Sequence, residues 1–249
     1  MAPAIAATRF EGNWTKMAQR KAAAAKHKGV MAKDGVSAND AAPPKDRRRE
    51  RGEASVQRII DATIELIAEE GLASVTMQRI AEHVGSSNAL VVFHFGSKEN
   101  LFRAVLQYLS DRYDELWVTL VRAPGLSPVE RLLGAVNCAQ NFARQHPKWV
   151  SVFVVFSSDR KSMQIYNEIG LPSDLAYTAE ARELLIEISR SGGYTGIDID
   201  TLSESLNYLV HGAWYWDHLN PRGRDTNVLR KTMLLLLHQA FPRHFELMR

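Results

Sequence analysis

The stretch from Ser74 to Leu101 constrains the fold more than any other part of the chain, because it predicts two short helices joined by a tight turn. Apolar residues at helical spacing predict the buried face of a first helix over about 76–83: Met77, Ile80, Ala81 and Val84. Gly85 supplies the bend, since it takes a positive φ without steric cost. Ser87 is a good N-cap for a second helix over about 88–94. Helix, glycine turn and helix is the arrangement that places a second helix in the DNA major groove.

A third, longer helix follows directly. Ser97 is its candidate N-cap, and Glu99 lies in the first turn, where the helix dipole favours a negative charge. One apolar face runs along it through Phe102, Val105, Leu109, Tyr113, Leu116 and Leu120. A helix over 97–121 spans roughly 37 Å at 1.5 Å per residue. We expect it to connect the two-helix segment mechanically to the rest of the chain.

These residues resemble the DNA-binding head of TetR-type repressors over about positions 55–110. The resemblance is carried by Thr76, Ile80, Ala81, Gly85 and Ser87, and then by His94, Phe95, Ser97, Lys98, Glu99 and Leu101. It implies a homodimer, an operator with two half-sites and a C-terminal body that binds a small ligand. Two departures concern DNA contacts: Val92 stands where the family usually has Tyr, and Ala89-Leu90 where it often has Gly-Thr.

Several side chains of this head are predicted to contact DNA. Asn88 and Phe93 are expected to face the major groove, where an Asn that bonds an adenine edge contributes about 1–3 kcal/mol of discrimination. Thr76 either bonds a phosphate or caps its helix, and the two roles are compatible. By resemblance, Lys98 matches a phosphate-contacting lysine. The candidate DNA-binding residues are Arg48, Arg49, Thr76, Ser86, Ser87, Asn88, Ala89, Val92, Phe93, His94 and Lys98.

The net charge of +3 is unevenly distributed: residues 1–54 carry +6, residues 55–110 carry −2 and residues 111–249 carry −1. The predicted DNA-binding head is therefore not itself a basic patch. The run Lys45–Arg51 is either a basic arm that reaches phosphates or the minor groove, or a solvated charge run. We expect residues 1–53 to be a disordered Ala/Lys-rich extension, 54–110 the DNA-binding domain, and 111–249 a helical ligand-binding and dimerisation domain.

The remaining chain predicts further helices separated by Pro and Gly. Ser127 to Glu130 reads as a capping box, and its helix should break at His146-Pro147. Residues 149–156 favour a strand by propensity, but no partner strand exists, so a buried helix is predicted. Additional helices are expected over about 159–169, 172–191, 201–219 and 225–241. The predicted fold is all-α.

The helix expected over 201–219 shows two faces. An apolar face predicts core: Leu202, Leu206, Leu209, Ala213 and Trp216. A second face carries Asn207, His211, Trp214 and His218, which suits a pocket for a small organic effector of cationic or amphipathic character. Gly212 to Trp214 resembles choline-responsive members of the family. The candidate ligand-binding residues are Trp117, Trp149, Phe153, Asn207, His211, Trp214 and His218. The alternative is that these aromatic side chains fill a core or an interface.

The last predicted helix contains Met233 to Leu237, which is apolar on every side. Such a helix must be covered on every side, which favours a homodimer formed through the last two helices. The alternative is a central helix in a monomeric core. His211 and His218 would need a third ligand to hold a metal, so neither a metal nor another cofactor is expected.

Function follows from these patterns. Cys138 is the only cysteine, which excludes an intrachain disulfide and suits a reducing cytoplasm. No apolar run approaches the roughly 20 residues that span a bilayer, and no catalytic motif is present, so we expect a cytoplasmic protein that is not an enzyme. The favoured function is a repressor that binds a palindromic operator and is released by a small organic effector. The alternative is a dimeric helical ligand sensor or interaction protein without sequence-specific DNA binding.

Overall fold

The computed structural model describes residues 44–220, Asp225 and 227–245, with side chains from Arg49 onward. These residues form nine helices and no strand, so the predicted all-α fold is confirmed for this part of the chain. The helices are α1 (Pro44–Glu70), α2 (Met77–His83), α3 (Asn88–Phe95), α4 (Lys98–Leu120), α5 (Pro128–Gln145), α6 (Pro147–Ser158), α7 (Met163–Ser191), α8 (Ile199–Leu219) and α9 (Val228–Ala240).

The described residues divide into two compact units. The first contains residues 44–59 and 77–100, and the second contains residues 60–76 and everything from Leu101 onward. Helices α1 and α4 each contribute to both units. The domain borders predicted at 53 and 110 do not coincide with these divisions.

In the first unit, α2 packs against α3 through the turn that the sequence predicts. Ile80 and Ala81 of α2 are buried. Gly85 has a φ of +64°, and the Ser86 amide donates to the Ala81 carbonyl over 2.9 Å, which closes the turn. Ser87 caps α3, because its hydroxyl oxygen accepts from the Leu90 amide at 3.2 Å.

Helix α1 begins at Pro44, well before the border predicted at 53. The expected extension is therefore helical from Pro44, since proline suits the first turn of a helix. Arg49 and Glu53 form an i, i+4 ion pair at 3.2 Å on its exposed side. Farther along, residues at helical spacing form an apolar face: Ile59, Ile60, Thr63, Ile64 and Ile67 are all buried. The predicted disorder of residues 1–43 lies outside the described residues.

The second unit is built around a cluster of aromatic side chains from four helices. Its buried members are Tyr113 and Trp117 of α4, Phe142 of α5, Tyr177 of α7 and Trp214 of α8. Gly134 lets α5 cross the end of α4, because a Cβ at this position would lie 2.0 Å from the Leu120 carbonyl oxygen. The predicted capping box is confirmed: the Ser127 amide donates to Glu130 Oε2 at 2.8 Å, and the Glu130 amide donates to Ser127 Oγ.

Three helix predictions beyond this point have different outcomes. Residues 149–156 are helical, within α6, as predicted. The separate helices expected around 159–169 and 172–191 are wrong, because α7 continues through Pro172. Proline lacks only one backbone donor, and burial of Ile165 and Tyr177 on either side supports a continuous helix. Helix α8 starts at Ile199, where Asp198 accepts from the Thr201 amide at 3.0 Å.

The predicted core face of α8 is wrong at Trp216. This side chain is 63% exposed, whereas Trp214, two residues earlier, is only 8% exposed. Successive helix positions are about 100° apart, so two residues change the direction of a side chain almost completely. In the part of the chain that the structure covers, no helix is both long and apolar enough to cross a membrane.

Candidate DNA-binding surface and ligand cavity

Helix α3 presents one face to solvent and buries the other. Val91 and Phe95 are buried, while Phe93 on the opposite side is 81% exposed and Val92 is 42% exposed. Asn88 and Ala89 are also exposed. This outward face holds four of the residues predicted to contact DNA, and a major groove about 12 Å wide admits an α-helix.

The other predicted DNA-contacting residues differ in accessibility. The Ser86 hydroxyl oxygen is buried and has no hydrogen-bond partner among the described residues, so it is not placed to reach DNA. The Ser87 hydroxyl already accepts from the α3 backbone. His94 is half-buried, and this burial lowers its pKa, which leaves the ring neutral near pH 7.

Potential phosphate contacts lie at helix starts. Thr76 is exposed immediately before α2, and Lys98 is the first residue of α4 and is half-buried. Arg49 is exposed on α1 and pairs with Glu53, so the part of the basic run that is described lies on a helix surface. The side chain of Arg48 lies outside the described residues.

A cavity of about 80 Å³ lies within the second unit, between α4, α5, α7, α8 and α9. Four of the predicted ligand-binding residues line it: Trp117, Asn207, His211 and Trp214. Together with Tyr113 and Tyr177 they make a largely aromatic wall, in which the ring centroids of Trp117 and Tyr177 are 4.6 Å apart. The predicted pocket on this face of α8 is therefore present.

Three other residues predicted to bind ligand are not in the wall of this cavity. Phe153 packs behind the wall, with its ring 6.2 Å from that of Trp214. Trp149 stacks on His146, with centroids 3.8 Å apart. His218 lies one turn beyond Trp214 and is half-buried. His218 was predicted to bind ligand only from its spacing along α8, and the cavity ends before that turn of the helix.

Sequence reasoning missed the carboxylate of the cavity. Asp174 of α7 lines it, accepts from the Tyr166 hydroxyl at 2.5 Å, and lies 3.7 Å from His211 Nε2. No motif marks Asp174, because its partners come from about two turns earlier in α7 and from α8. The nearby Asp174 carboxylate raises the pKa of His211, although partial burial of the ring opposes that rise.

Two buried polar atoms of the wall have no hydrogen-bond partner among the described residues: Trp214 Nε1 and Ser203 Oγ. Both residues are more than nine-tenths buried. An indole N–H can only donate, so Trp214 suits a ligand that carries an acceptor oxygen. Leaving such a donor unmatched costs about 1–3 kcal/mol, which a ligand would recover.

Glu180 of α7 holds the neighbouring wall in place. The indole N–H of Trp117 donates to Glu180 Oε2 at 2.9 Å, and Arg122 and Arg131 pair with the same carboxylate. Partial burial acts to raise the pKa of Glu180, but the hydrogen bonds from these three side chains together lower it. This network fixes the orientation of Trp117, so the aromatic wall is formed before any ligand binds.

An apolar surface remains uncovered on the last two helices. On α8, exposed aromatic and aliphatic side chains recur at helical spacing: Tyr208, Tyr215, Trp216 and Leu219. On α9, Met233 and Leu237 are buried, while Leu235 is 45% exposed. The second unit thus covers one side of α9, and the side that carries Leu235 remains open.

Comparison with known proteins identifies the family. Residues 59–105 match the model of the bacterial regulatory proteins of the tetR family. The chain is 37% identical over 180 residues to the HTH-type transcriptional regulator SrpR of Pseudomonas putida, covering 72% of this chain and 81% of that protein. It is 30% identical over 101 residues to the regulator BetI of Rhizobium meliloti, an alignment that covers 41% of this chain but about half, 49%, of that relative.

Solved structures of other transcriptional regulators share this fold. A transcriptional regulator from Saccharomonospora viridis, solved in complex with choline, superposes with a TM-score of 0.63 at 20% identity, covering 75% of this chain and 96% of that one. The helix-turn-helix of α2 and α3, the helical body and the extent of the SrpR alignment agree. The chain belongs to the TetR family of bacterial transcriptional regulators.

Proposed function

We propose that this ligand-responsive regulator is a repressor that binds a palindromic operator as a homodimer and leaves it when a small organic cation enters the cavity. The exposed face of α3 carries the proposal, because it is a helix-turn-helix surface left open on a chain of this family. Two copies of α3 would enter successive major grooves about 34 Å apart.

The dimer would form through α8 and α9. Tyr208 is 68% exposed and Trp216 is 63% exposed, and such large aromatic side chains are favoured at interfaces. Gly212 lies between them on the same side of α8, where an added Cβ would meet nothing within 4 Å. Lacking a side chain there, α8 leaves room for a partner helix to approach closely.

The chemistry of the cavity supports a cationic effector. Indole and phenol faces attract cations, and Asp174 supplies a negative charge at the same wall. Burial raises the pKa of Tyr113 and of Tyr177, so both phenols stay neutral. The Saccharomonospora relative bound choline, and a hydroxylated quaternary ammonium offers both the charge for the rings and an oxygen for Trp214 Nε1.

Helix α4 would carry the signal. Tyr113 and Trp117 lie in the cavity wall, and the first residues of the same continuous helix, from Lys98, belong to the head unit. An effector that binds one position of α4 better than another would shift the population of head positions. Repression would be lost when the two reading helices no longer match the spacing of the half-sites.

Selection from a random duplex library, followed by affinity measurements at several salt concentrations, tests the DNA-binding role. We expect enrichment of an inverted repeat and a linear fall of log affinity with log salt, because phosphate contacts release counterions. Folded protein that enriches no duplex, or whose binding ignores salt, would instead favour a helical ligand sensor. The acidic balance of residues 55–110 motivates that comparison.

The effector is tested with choline and its uncharged carbon isostere, dimethylbutanol. Binding is followed by tryptophan fluorescence, since Trp117 and Trp214 line the cavity. Tighter binding of choline would support cation recognition, and release of the selected duplex by choline would support the repressor mechanism. Equal binding of both compounds would overturn the cationic assignment.

A further inference from the structure

The base-reading face of α3 is mostly apolar. Residues 89 and 93 form a row on the side opposite the buried Val91 and Phe95, and residues 88 and 92 form the row next to it. Of these four exposed positions only Asn88 is polar; the other three are Ala89, Val92 and Phe93.

Helix α3 contains neither Arg nor Lys, so the usual bidentate donor to guanine is missing from its outward face. The other hydrogen-bonding side chains near this face are short or at least half-buried. The Ser87 hydroxyl accepts from Leu90, the Ser86 hydroxyl oxygen is buried, and His94 is half-buried. On α3, Asn88 is left as the long polar side chain that can reach a base edge, and Asn matches adenine.

Apolar side chains also discriminate between bases, because the C5-methyl group of a pyrimidine projects into the major groove. Phe93 is 81% exposed in the free protein, so its ring is available to cover such a methyl group. Removing both apolar surfaces from water is favourable. Ala89 lies one turn before Phe93 in the same row, and Val92 lies one turn after Asn88 in the neighbouring row. The apolar residues that would cover a methyl group therefore lie directly beside the Asn that would bond adenine.

We propose that this regulator recognises its operator through pyrimidine C5-methyl groups, which Phe93, Val92 and Ala89 cover beside an adenine bonded by Asn88. The inference rests on the proposed DNA-binding function. Thymine and 5-methylcytosine both carry this methyl group. We assign thymine, because the Asn88 match is to adenine and the two contacts then describe a run of A·T pairs.

The experiment uses the full-length protein and the duplex recovered by selection. Each thymine of a half-site is replaced in turn by deoxyuridine, which removes only the methyl group. At contacted positions we expect affinity to fall about fourfold per methyl, the effect of one buried methyl-sized group. Replacement of flanking thymines is the matched control and should leave affinity unchanged.

Protein variants locate the contact. Phe93→Ala should bind the thymine duplex more weakly than the unmodified protein does, and it should bind the thymine and deoxyuridine duplexes with equal affinity. Phe93→Leu should still bind the thymine duplex more tightly than the deoxyuridine duplex. Because Phe93 is exposed, neither change should affect folding, which circular dichroism checks. A half-site position that ceases to discriminate only in Phe93→Ala would identify the base under the ring.

Three results would overturn the proposal. Unchanged affinity after every thymine is replaced would show that an operator is bound without methyl contacts, leaving DNA binding intact. Tighter binding when 5-methylcytosine pairs with guanine at the contacted position would reassign the methyl group to methylated DNA. If no duplex is enriched at all, the proposed function itself is wrong, and this inference with it.

Discussion

Asp174 Oδ2 lies 3.7 Å from His211 Nε2, which joins α7 to α8 at the wall of the cavity. The other ring nitrogen of His211 lies 3.0 Å from the Asn207 carbonyl oxygen, and Tyr166 donates to the same carboxylate. The raised pKa of Tyr166 keeps that phenol neutral. A protonated His211 therefore competes with a cationic effector for the one carboxylate.

Effector affinity should depend on pH with a defined sign. The Asp174 carboxylate raises the pKa of His211 above 6.5, so the His211–Asp174 ion pair is present at low pH and is lost as pH rises through the raised pKa. Choline should then bind more tightly at about pH 8 than at about pH 6, by up to about tenfold per pH unit below that pKa. Fluorescence titration measures this, and His211→Gln should make the affinity flat; an equal slope in that variant would contradict the competition.

Removing the negative charge should weaken cation binding selectively. Asp174→Asn keeps a group that can accept from Tyr166 but leaves the cavity without its carboxylate. We expect choline affinity to fall at least about tenfold, while the affinity of dimethylbutanol stays unchanged. Calorimetric titration with both compounds compares them directly. An equal loss for both would mean that Asp174 shapes the cavity rather than attracting charge.

Asn88 and Lys98 should have different effects on DNA binding. Asn88→Ala removes a base contact, so it should relax base preference at one position by about 1–3 kcal/mol. Lys98→Ala removes a phosphate contact, so it should weaken binding to all sequences and reduce the salt slope by about one. Fluorescence anisotropy with matched and mismatched duplexes separates the two. No change in either variant would show that α3 is placed wrongly on DNA.

The exposed face of α8 should control the oligomeric state. Trp216→Asp and Leu219→Asp place charges where we expect a second copy, and should yield a particle with the mass of one chain, 28.0 kDa. Light scattering after size exclusion measures the mass. Val118→Asp, at an exposed apolar position on α4, is the matched control and should stay dimeric. A dimer that persists in both test variants would place the interface elsewhere.

Gly134→Ala should destabilise the second unit. Its Cβ would lie 2.0 Å from the Leu120 carbonyl oxygen, and backbone atoms cannot move aside as a flexible side chain can. We expect a loss of about 1–3 kcal/mol in the free energy of unfolding. Gly52→Ala in α1, where an added Cβ meets nothing within 4 Å, should instead gain up to about 1 kcal/mol. Denaturant unfolding measures both variants. If Gly134→Ala proved as stable as Gly52→Ala, the close approach of α5 to the end of α4 would be contradicted.

Local signals in the sequence predicted most helices. Ser87 and Ser127 mark helix starts through hydrogen bonds to residues three positions away, so nearby residues suffice to identify them. The apolar face of α1 can also be predicted from the sequence, because its buried residues repeat at the helical period. The helix break predicted at Pro172 was wrong because local signals did not suffice there. Proline removes one hydrogen-bond donor, and packing of α7 on both sides of Pro172 outweighs that loss.

Only the tertiary structure decided which side chains meet. Asp174 and His211 lie on different helices with no shared motif, and Trp214 and Trp216 differ in burial because neighbouring helices cover one side of α8 and not the other. The sequence by itself determined an all-helical chain with a helix-turn-helix head, since helical period and caps act over a few residues. The position of the carboxylate among the aromatic rings, and the apolar surface left open, depend on contacts between distant segments.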